Sequence, residues 1–402
     1  MNIMKKKIAI FTGNRAEYGL QYPIIKALQE NKDIDLKLLV SGAHLDENFG
    51  KTLQEIKQDG FNIHTEIKIE MDEDSNIATP LAISSGVKLI SEALNKIKPD
   101  FFVVYADRFE GFAAVIASSQ MNIPTAHIEG GDITEGGALD DSVRHAMTKL
   151  SHLHFTTNEE ATKRVIAMGE EEWRVHTVGF PAIDLIEERN FASPEEVSRD
   201  LGISLDIPIV LFTQHSVTTE FDLASNQIEP SLRALETLSK EGVQVIITYP
   251  NNDAGGRSII KKIKQIKPSK NLKVYSSLGR YLYHGVLALA EDSERLILCA
   301  GNSSSGIKET PVFGCPTINI GSRQEGRLRG DNVIDTTYDS TEIYDAAIKC
   351  FYDKTFRLRC KNTVNPYYLG GAGRKIVEIL LKTEFNQALL RKSMTLKAEK
   401  LI

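Results

Sequence analysis

Acidic side chains recur directly after short apolar runs of this sequence, and their positions suggest acid–base chemistry. Asp107 ends the run FFVVYAD, Glu129 follows AHI, and Asp140 comes shortly afterwards in DDSVRH. If the runs are parallel strands, their carboxyl ends meet at one edge of a sheet, and we expect these three carboxylates to gather there. Clustered carboxylates raise the pKa of at least one member, which divides acid and base roles near neutral pH. A helix N-cap is the competing interpretation for Asp141, which follows Asp140.

Hydroxylated and cationic residues after other apolar runs favour a phosphorylated ligand. In GNSSSGIKE, Ser303 and Ser304 stand at a predicted helix start, where hydroxyls, free amides and the helix dipole bind anions. Glu309, one turn into that predicted helix, could accept hydrogen bonds from a ribose diol. The competing interpretation is a Ser N-cap with a capping-box Glu. A diphosphate fits such a turn, and Arg323 in GSRQEGR follows the next predicted strand, near the same edge.

Further polar candidates follow the remaining predicted strands. The turn TGNRAEYG carries Arg15, which could bind a phosphate, and Glu17. A surface Arg at a helix start is the alternative for Arg15. SGAH contains His44, for which a structural role is the alternative, and QHSVTTE places His215 just after a strand. The first turn matches neither the dinucleotide-binding nor the Walker A pattern, which argues against NAD and ATP.

The whole chain alternates short apolar runs with amphipathic segments, which is typical of a parallel sheet covered by helices on both faces. The predicted strands are Lys7–Phe11, Leu36–Val40, Phe101–Tyr105, Thr125–Ile128, His152–Thr156, Ile209–Thr213, Val243–Tyr249, Lys273–Tyr275, Leu296–Ala300 and Thr317–Ile320. The predicted helices are Tyr18–Gln29, Ala78–Ile97, Gly111–Gln120, Ser142–Leu150, Leu223–Leu238, Arg257–Ile266, Leu282–Ala290, Thr341–Phe351 and a last one in GGAGRKIVEILL.

The alternation stops over Pro181–Asp206, a charged stretch rich in turn formers, and then resumes. We therefore predict an α/β protein with two doubly wound, Rossmann-like domains facing each other across a cleft. The N-terminal domain would comprise residues 1–182 plus 372–402 and carry the carboxylates. The C-terminal domain would comprise residues 183–371 and bind the nucleotide.

Composition excludes several classes of function. The chain has 402 residues and a net charge of −6, and no basic stripe alternates with aromatics, which argues against nucleic acid. Its four cysteines have irregular spacing, which is typical of reduced thiols and supports no metal site. No apolar stretch is long enough to span a membrane, and Ile8–Phe11 is too short for a signal-peptide core. We expect a cytoplasmic protein.

Ten motifs appear in order and together resemble a known family. They are TGNRAEYG, AHLDENFG, ADRFE, HIEGGD, DDSVRH, MTKLSHLHF, QHSVTTE, YPNNDAGG, GNSSSGIKE and GSRQEGR, within about residues 7–380. They are similar to the UDP-N-acetylglucosamine 2-epimerases, specifically the hydrolysing branch that feeds synthesis of sialic-acid-type sugars. The resemblance implies two Rossmann-like domains in the manner of GT-B glycosyltransferases, with the last helix returning to the first domain.

The resemblance also implies roles for individual residues. Asp107, Glu129 and Asp140 would be the catalytic carboxylates, His215 the essential histidine, and Arg144 an arginine near the sugar. The nucleotide and diphosphate contacts would be Arg15, Arg108, Asn251, Ser303, Ser304, Glu309 and Arg323. The implied substrate is a UDP-N-acetylhexosamine, with UDP as product, no cofactor, and a homodimer or homotetramer as the assembly.

Two departures leave the substrate open. The loop Ile133–Leu139 looks about two residues longer than expected of the family, and Glu17 stands where many relatives have Asp. UDP-N-acetylglucosamine is the default substrate, with UDP-N,N′-diacetylbacillosamine or a GDP-linked sugar as the alternatives. A non-hydrolysing epimerase, a GT-B glycosyltransferase and a catalytically silent nucleotide-sugar sensor remain competing functions.

Overall fold

The computed structural model describes residues 5–45, 53–69, 77–134, 139–250, 254–267 and 269–395, without the side chains of Arg15, Ala16, Ala43 and Thr218. The chain divides into two compact units. Unit 1 contains Met1–Asp132, Asp140–Asp184 and Tyr367–Ile402, and unit 2 contains Ile133–Leu139 and Leu185–Pro366. Each unit is built on one parallel β-sheet.

The sheet of unit 1 has seven strands in the order β3-β2-β1-β4-β5-β6-β7. Residues of β1 alternate between two apolar clusters, with Ile8 and Ile10 in one and Ala9 and Phe11 in the other. Both faces of the sheet are therefore covered, as the continuous apolar runs require. The strands are β1 (Lys6–Thr12), β2 (Ile34–Ser41), β3 (Ile63–Ile67), β4 (Phe101–Tyr105), β5 (Thr125–Ile128), β6 (Leu153–Thr156) and β7 (Val175–Thr177).

Helices cover both faces of this sheet. The first six are α1 (Arg15–Glu30), α2 (Leu53–Gln58), α3 (Ala78–Ile97), α4 (Phe109–Gln120), α5 (Leu139–Leu150) and α6 (Glu159–Ala167). The boundary of the two units along the sequence falls within α7 (Ala182–Glu187). The helices of unit 2 are α8 (Pro194–Leu201), α9 (Ala224–Lys240), α10 (Gly256–Ile263), α11 (Gly279–Ala288), α12 (Ser305–Lys308), α13 (Ser340–Tyr352) and α14 (Lys354–Lys361). The chain then returns to unit 1 with α15 (Ala372–Lys382) and α16 (Gln387–Leu390).

Helix α15 is fixed to unit 1 at both ends. The Asp184 carboxylate accepts hydrogen bonds from the first amides of α15, those of Ala372 at 3.0 Å and Gly373 at 2.8 Å. At the other end, Nζ of Lys6 donates to the carbonyls of Leu380, Leu381 and Thr383. A carboxylate at the N-terminus and a cation at the C-terminus satisfy the unpaired backbone groups and complement the helix dipole.

The sheet of unit 2 has six strands in the order β10-β9-β8-β11-β12-β13. In β8, Val210 and Phe212 contribute to one apolar cluster, and Ile209 and Leu211 to another on the opposite face. Its strands are β8 (Ile209–Thr213), β9 (Gln244–Thr248), β10 (Leu272–Tyr275), β11 (Ile297–Gly301), β12 (Thr317–Ile320) and β13 (Val333–Thr336). The predicted fold class, two Rossmann-like α/β domains, is confirmed.

Several local predictions were wrong. The stretch Pro181–Asp206, read as a break in the pattern, contains helices α7 and α8. Helix α8 begins with a capping box, in which the Ser193 side chain accepts from the Glu196 amide while the Glu196 carboxylate accepts from the Ser193 amide. Three strands, β3, β7 and β13, were missed. Within the described ranges, no helix has the length and hydropathy needed to cross a bilayer.

Candidate active site

Asp107 lies in the turn that follows β4, and the fold holds that turn in an unusual conformation. Strand β4 is buried along its whole length. The next residue, Ala106, has a φ of 54°, in the left-handed region that non-glycine residues rarely adopt. The Ala106 amide donates to the carbonyl of Ile128 at 3.0 Å. This bond holds the turn against the adjacent strand β5 and helps to fix the backbone position of Asp107.

Arg144 is the ion-pair partner of Asp107. It comes from α5, its side chain is only 2% exposed, and its Nη2 is paired with Oδ2 of Asp107. Its Nη1 lies 3.6 Å from Oδ1 of Asp141, one turn earlier in the helix. A guanidinium placed between two carboxylates offsets their mutual repulsion.

Helix α5 also carries the two acidic residues that precede Arg144, Asp140 and Asp141. It begins at Leu139, so both Asp140 and Asp141 lie in its first turn. The competing interpretation of Asp141 as the N-cap is therefore wrong. Asp141 is buried and faces Arg144, whereas Asp140 is half-buried. Carboxylates in a first helical turn are stabilised by the helix dipole.

Glu129 follows β5, the strand paired with β4, and is 5% exposed. It too has a left-handed backbone, with a φ of 65°. Tyr105, at the end of β4, is its neighbour. Burial first, and then the negative charge of Glu129, raise the pKa of Tyr105 well above 10. The phenol therefore stays protonated next to the Glu129 carboxylate. Of the three carboxylates predicted to gather, Asp107 and Glu129 follow paired strands, with Arg144 and Tyr105 beside them, and Asp140 lies in the first turn of α5.

A buried histidine connects the Asp107 turn with α5. Nε2 of His127 lies 2.7 Å from the carbonyl oxygen of Ala106, and Nδ1 lies 3.1 Å from Oγ1 of Thr148. Burial lowers the pKa of His127 to about 3. The neutral ring can then donate to Ala106 through Nε2 and accept from Thr148 through Nδ1. Hydrogen bonds through His127 thus connect Ala106, the residue before Asp107, to Thr148 of α5, the helix that carries Arg144.

The turn after β1 buries a second pair of acids. Oε2 of Glu17 accepts from the Gly13 amide at 2.7 Å, and Glu17 is 4% exposed. Burial, together with the charge of Glu110, raises the pKa of Glu17 to about 8. A Cβ on Gly42 (φ 57°) would lie 2.5 Å from the Gly13 carbonyl oxygen, which explains the glycine in SGAH.

Glu17 and His44 were predicted to bind substrate, and the structure buries both of them. His44 is fully buried, with Nε2 3.0 Å from Oγ1 of Thr12, and burial lowers its pKa to about 4. These contacts stabilise the turn after β1. Arg15 is the first residue of α1, and its side chain lies outside the described part. The Arg108 side chain is 25% exposed, with Nε 3.6 Å from Oε2 of Glu110.

In unit 2, His215 is held through its backbone. The His215 amide donates to Oδ1 of Asn302 at 2.6 Å, and Nδ2 of Asn302 donates to the His215 carbonyl at 2.9 Å. This exchange joins the segments after β8 and β11. The two strands approach closely at Gly301, where φ is 122° and a Cβ would lie 1.9 Å from the Thr213 carbonyl oxygen. Only glycine fits there.

Arg323 belongs to the same group. Its Nη1 donates to the Asn302 carbonyl at 3.1 Å, and Nε2 of Gln324 donates to the same oxygen at 2.8 Å. His215, Asn302 and Arg323 therefore lie together after three neighbouring strands. Asn251, predicted as a nucleotide contact, lies outside the described residues.

The serine-rich turn differs from its prediction. Helix α12 has four residues, Ser305–Lys308, so it has little dipole, and Glu309 follows the helix instead of lying within it. The Ser304 side chain makes no capping hydrogen bond. Ser303 and Ser304 are half-buried, and their amides donate to no atom of the described chain. These amides and hydroxyls can still bind an anion.

Glu309 is not a capping-box residue. Its Oε2 lies 2.8 Å from Nε2 of His284 in helix α11, and both side chains are buried. Sequence reasoning missed His284 because it stands in an amphipathic helix with no motif around it. It also missed Tyr105, Glu110 and Asn302, although each lies in a stretch named above: Tyr105 in FFVVYAD, Glu110 in ADRFE and Asn302 in GNSSSGIKE. In the described part of the chain, no three His, Cys, Asp or Glu side chains converge on a metal site.

Fold and site together define the class of protein. It is an enzyme of two Rossmann-like units, with carboxylates after neighbouring strands of one sheet and a serine-rich turn after a strand of the other. The UDP-N-acetylglucosamine 2-epimerase family matches residues 26–381, and the chain belongs to this family.

Individual relatives agree with that assignment. The GDP/UDP-N,N′-diacetylbacillosamine 2-epimerase (hydrolyzing) of Campylobacter jejuni is 35% identical and covers 97% of this chain and 98% of its own. The UDP-N,N′-diacetylbacillosamine 2-epimerase (hydrolyzing) of Legionella pneumophila is 35% identical over 84% of this chain and 87% of its own. The expectation of a hydrolysing 2-epimerase is confirmed at the level of family and reaction type.

A solved structure shares the fold. The UDP-GlcNAc 2-epimerase of Neisseria meningitidis, bound to UDP-GlcNAc, superposes with a TM-score of 0.78, covering 94% of this chain and 100% of its own. At 19% identity this similarity concerns the fold alone.

Proposed function

We propose that this enzyme converts a UDP-N-acetylhexosamine and water into UDP and the free sugar inverted at C2, with UDP-N-acetylglucosamine as substrate and N-acetylmannosamine as product. The observation that carries the proposal is the pairing of Asp107 with buried Arg144 next to Glu129 and Tyr105. Such a group can hold one carboxylate ionised as a base and aim a second at the reacting sugar.

The first step is an elimination. The proton on C2 of an N-acetylhexosamine has no adjacent ketone to acidify it, so its removal needs the anomeric C–O bond to break as well. We assign the C2 proton transfers to Asp107 and Asp140 and the anomeric side to Glu129. Arg144 pairs with the Asp107 carboxylate and orients it. The C2 proton passes to a carboxylate, the C1–O bond breaks, and UDP leaves with the bonding electrons.

The departing UDP requires stabilisation of its charge. We assign this to Ser303, Ser304 and Arg323, and keep Arg15 and Arg108 as the further phosphate contacts that the family resemblance implies. The amides of Ser303 and Ser304 have no partner in the described chain, which supports an anion-binding role. His215 and Asn251 are assigned to the nucleotide, and Glu309 to the ribose hydroxyls.

The second step is hydration of the resulting C1–C2 double bond. Water supplies a hydroxyl to C1, and a carboxylic acid returns a proton to C2 from the opposite face. The sum of the two steps consumes one water and inverts C2 without any change of oxidation state, so no nicotinamide is required. We expect a homodimer or homotetramer, to be checked by light scattering.

UDP-N,N′-diacetylbacillosamine is a second candidate substrate. Both relatives that are 35% identical carry this sugar in their names. A UDP-GlcNAc 2-epimerase of Neisseria meningitidis is 32% identical, and solved structures of the fold hold UDP-GlcNAc or UDP. The loop Ile133–Leu139 bears on this choice. Arg327 holds its first residues, donating to the Ile133 carbonyl and to Oγ1 of Thr134, each at 2.8 Å.

Parallel product analysis tests the proposal. The purified enzyme is incubated with UDP-N-acetylglucosamine, UDP-N,N′-diacetylbacillosamine or GDP-N-acetylglucosamine, and released nucleotide and free sugar are measured by anion exchange and proton NMR. We expect UDP and N-acetylmannosamine from the first. Turnover of only the diacetylated sugar would move the assignment to the second candidate. An intact epimeric UDP-sugar would contradict hydrolysis.

A further inference from the structure

Two consecutive side chains of α11 make hydrogen bonds to the two ends of α12, the short helix of the serine-rich turn. The hydroxyl of Tyr283 lies 2.5 Å from Oγ of Ser305, the first residue of α12. Nε2 of His284 lies 2.8 Å from Oε2 of Glu309, directly after α12. Because α12 is a single turn, it cannot hold its own ends rigidly, and these two bonds fix the segment in its place.

The His284–Glu309 pair is buried and polar at once. His284 is 3% exposed and Glu309 is 7% exposed. The imidazole packs against the Phe313 ring, with centroids 6.1 Å apart. Its Nδ1 is buried without a hydrogen-bond partner among the residues that the structure describes. The favoured tautomer therefore carries its hydrogen on Nε2, and this N–H group donates a hydrogen bond to Glu309.

This arrangement leaves the Glu309 carboxylate with one engaged oxygen. Oε2 accepts from His284, while Oε1 makes no hydrogen bond to the described chain and is not among the buried unpaired atoms. A carboxylate fixed through one oxygen presents the other in a single direction. The two vicinal hydroxyls of a ribose can donate hydrogen bonds to such an oxygen.

We propose that His284 is a positioning residue that, through Glu309, makes the enzyme select a ribonucleotide over a 2′-deoxyribonucleotide. The inference rests on the proposed function, in which UDP binds at this turn. A site that hydrogen-bonds a substrate hydroxyl rejects the analogue lacking it, because a buried polar group then loses its partner. Losing the fixed orientation of Glu309 reduces this discrimination without affecting the contacts to the diphosphate.

The test compares UDP with 2′-deoxy-UDP by calorimetry, using wild type, His284→Phe and His284→Gln. Phe keeps the ring packing but removes the donor, whereas the Gln amide nitrogen can take the place of Nε2. We expect wild type to prefer UDP by about tenfold or more, since one hydrogen bond to a charged group is at stake. His284→Phe is expected to lose most of that preference by weakening UDP alone, and His284→Gln to keep it.

Tyr283→Phe is the matched control, because it removes the bond to Ser305 at the other end of α12 and leaves Glu309 paired. It should change both affinities by the same factor. The inference is overturned if His284→Phe weakens both nucleotides equally, if Tyr283→Phe lowers the preference as much, or if wild type shows no preference. Should His284→Phe not fold, His284→Leu serves as the apolar variant. A wild-type enzyme that binds no UDP would instead contradict the proposed function.

Discussion

Nζ of Lys392 lies 2.8 Å from Oε2 of Glu170 in the interior of unit 1. The same ammonium group donates to three carbonyls at the end of α5, those of Thr148, Lys149 and Ser151. Burial raises the pKa of Glu170, but hydrogen bonds from His154, Lys149 and Lys392 outweigh it and bring the value to about 2. A residue near the C-terminus thus caps the helix that carries Arg144.

We predict that Lys392→Met destabilises the protein by about 2–4 kcal/mol, because helix carbonyls and a buried carboxylate lose a charged donor. The midpoint of urea unfolding at pH 7 measures this. Lys382→Met is the control, since that side chain is 79% exposed and should leave the midpoint nearly unchanged. Equal midpoints for both variants would show that Lys392 has no such role.

Asp107 and Arg144 should act as one unit in catalysis. Asp107→Asn is expected to lower kcat by about 10²–10⁴-fold, the range for loss of a general acid–base group. Arg144→Gln should lower it by about 10²-fold, because the ion pair of Asp107 is lost. In the double variant the losses should be far from additive. Steady-state kinetics measures all three, with Ser142→Ala, an exposed position of α5, as control. Additive losses would mean that the pair does not function together.

Glu17 should make stability depend on pH. Its pKa rises from 4.5 to about 8 in the folded protein because of burial and the charge of Glu110. The folded state therefore holds this proton more tightly than the unfolded state, and the stability that depends on it falls as pH rises from about 4.5 to about 8. The Glu17→Gln side chain cannot ionise. The unfolding free energy of this variant, relative to that of wild type, should therefore rise by a few kcal/mol between about pH 4.5 and about pH 8, as the size of the pKa shift implies.

Thermal unfolding at pH 5, 6, 7 and 8 measures the effect of Glu17→Gln. Glu30→Gln, at an exposed position of the same helix, is the control and should follow wild type. Parallel curves for wild type and Glu17→Gln would contradict the raised pKa.

Gly301 should tolerate no side chain. Gly301→Ala combines a φ of 122° with a Cβ 1.9 Å from the Thr213 carbonyl oxygen, so we expect a loss of about 3–5 kcal/mol or failure to fold. Gly242→Ala is the matched control, with a φ of 96° and no atom within 4 Å of the Cβ. It should cost about 1 kcal/mol from backbone strain alone. Similar unfolding midpoints for the two variants would refute the close approach of the strands.

Buried central strands could be predicted from the sequence because they are continuous apolar runs, as in FFVVY and IVLFT. The missed strands β3 (IHTEI) and β13 (VIDT) lie at sheet edges and contain too many polar residues to form an apolar run, and β7 has only three residues. Helix α12 is shorter than predicted. Thr310 precedes Pro311, and a residue before proline is disfavoured in a helix, so the helix does not extend past this point.

Site residues at strand ends could be predicted because topology alone brings Asp107 and Glu129 to one edge. Their partners could not. The pairing of Arg144 with Asp107 and of His284 with Glu309 depends on how helices pack against the sheets, and no local pattern in the sequence specifies that. Glu17 and His44 have the residue types of a binding site, yet both are buried, and they contact Gly13 and Thr12 at the end of β1.

The central claim is elimination at C2 followed by hydration, and isotope incorporation tests it most directly. The enzyme and UDP-N-acetylglucosamine, or the diacetylated sugar if only that one turns over, are incubated in D₂O enriched in ¹⁸O, and the products are analysed by mass spectrometry and NMR. We predict one deuterium at C2 of the free inverted sugar and UDP without ¹⁸O, because the C1–O bond breaks. A sugar with its original hydrogen at C2, or ¹⁸O in the β-phosphate of UDP, would contradict the account.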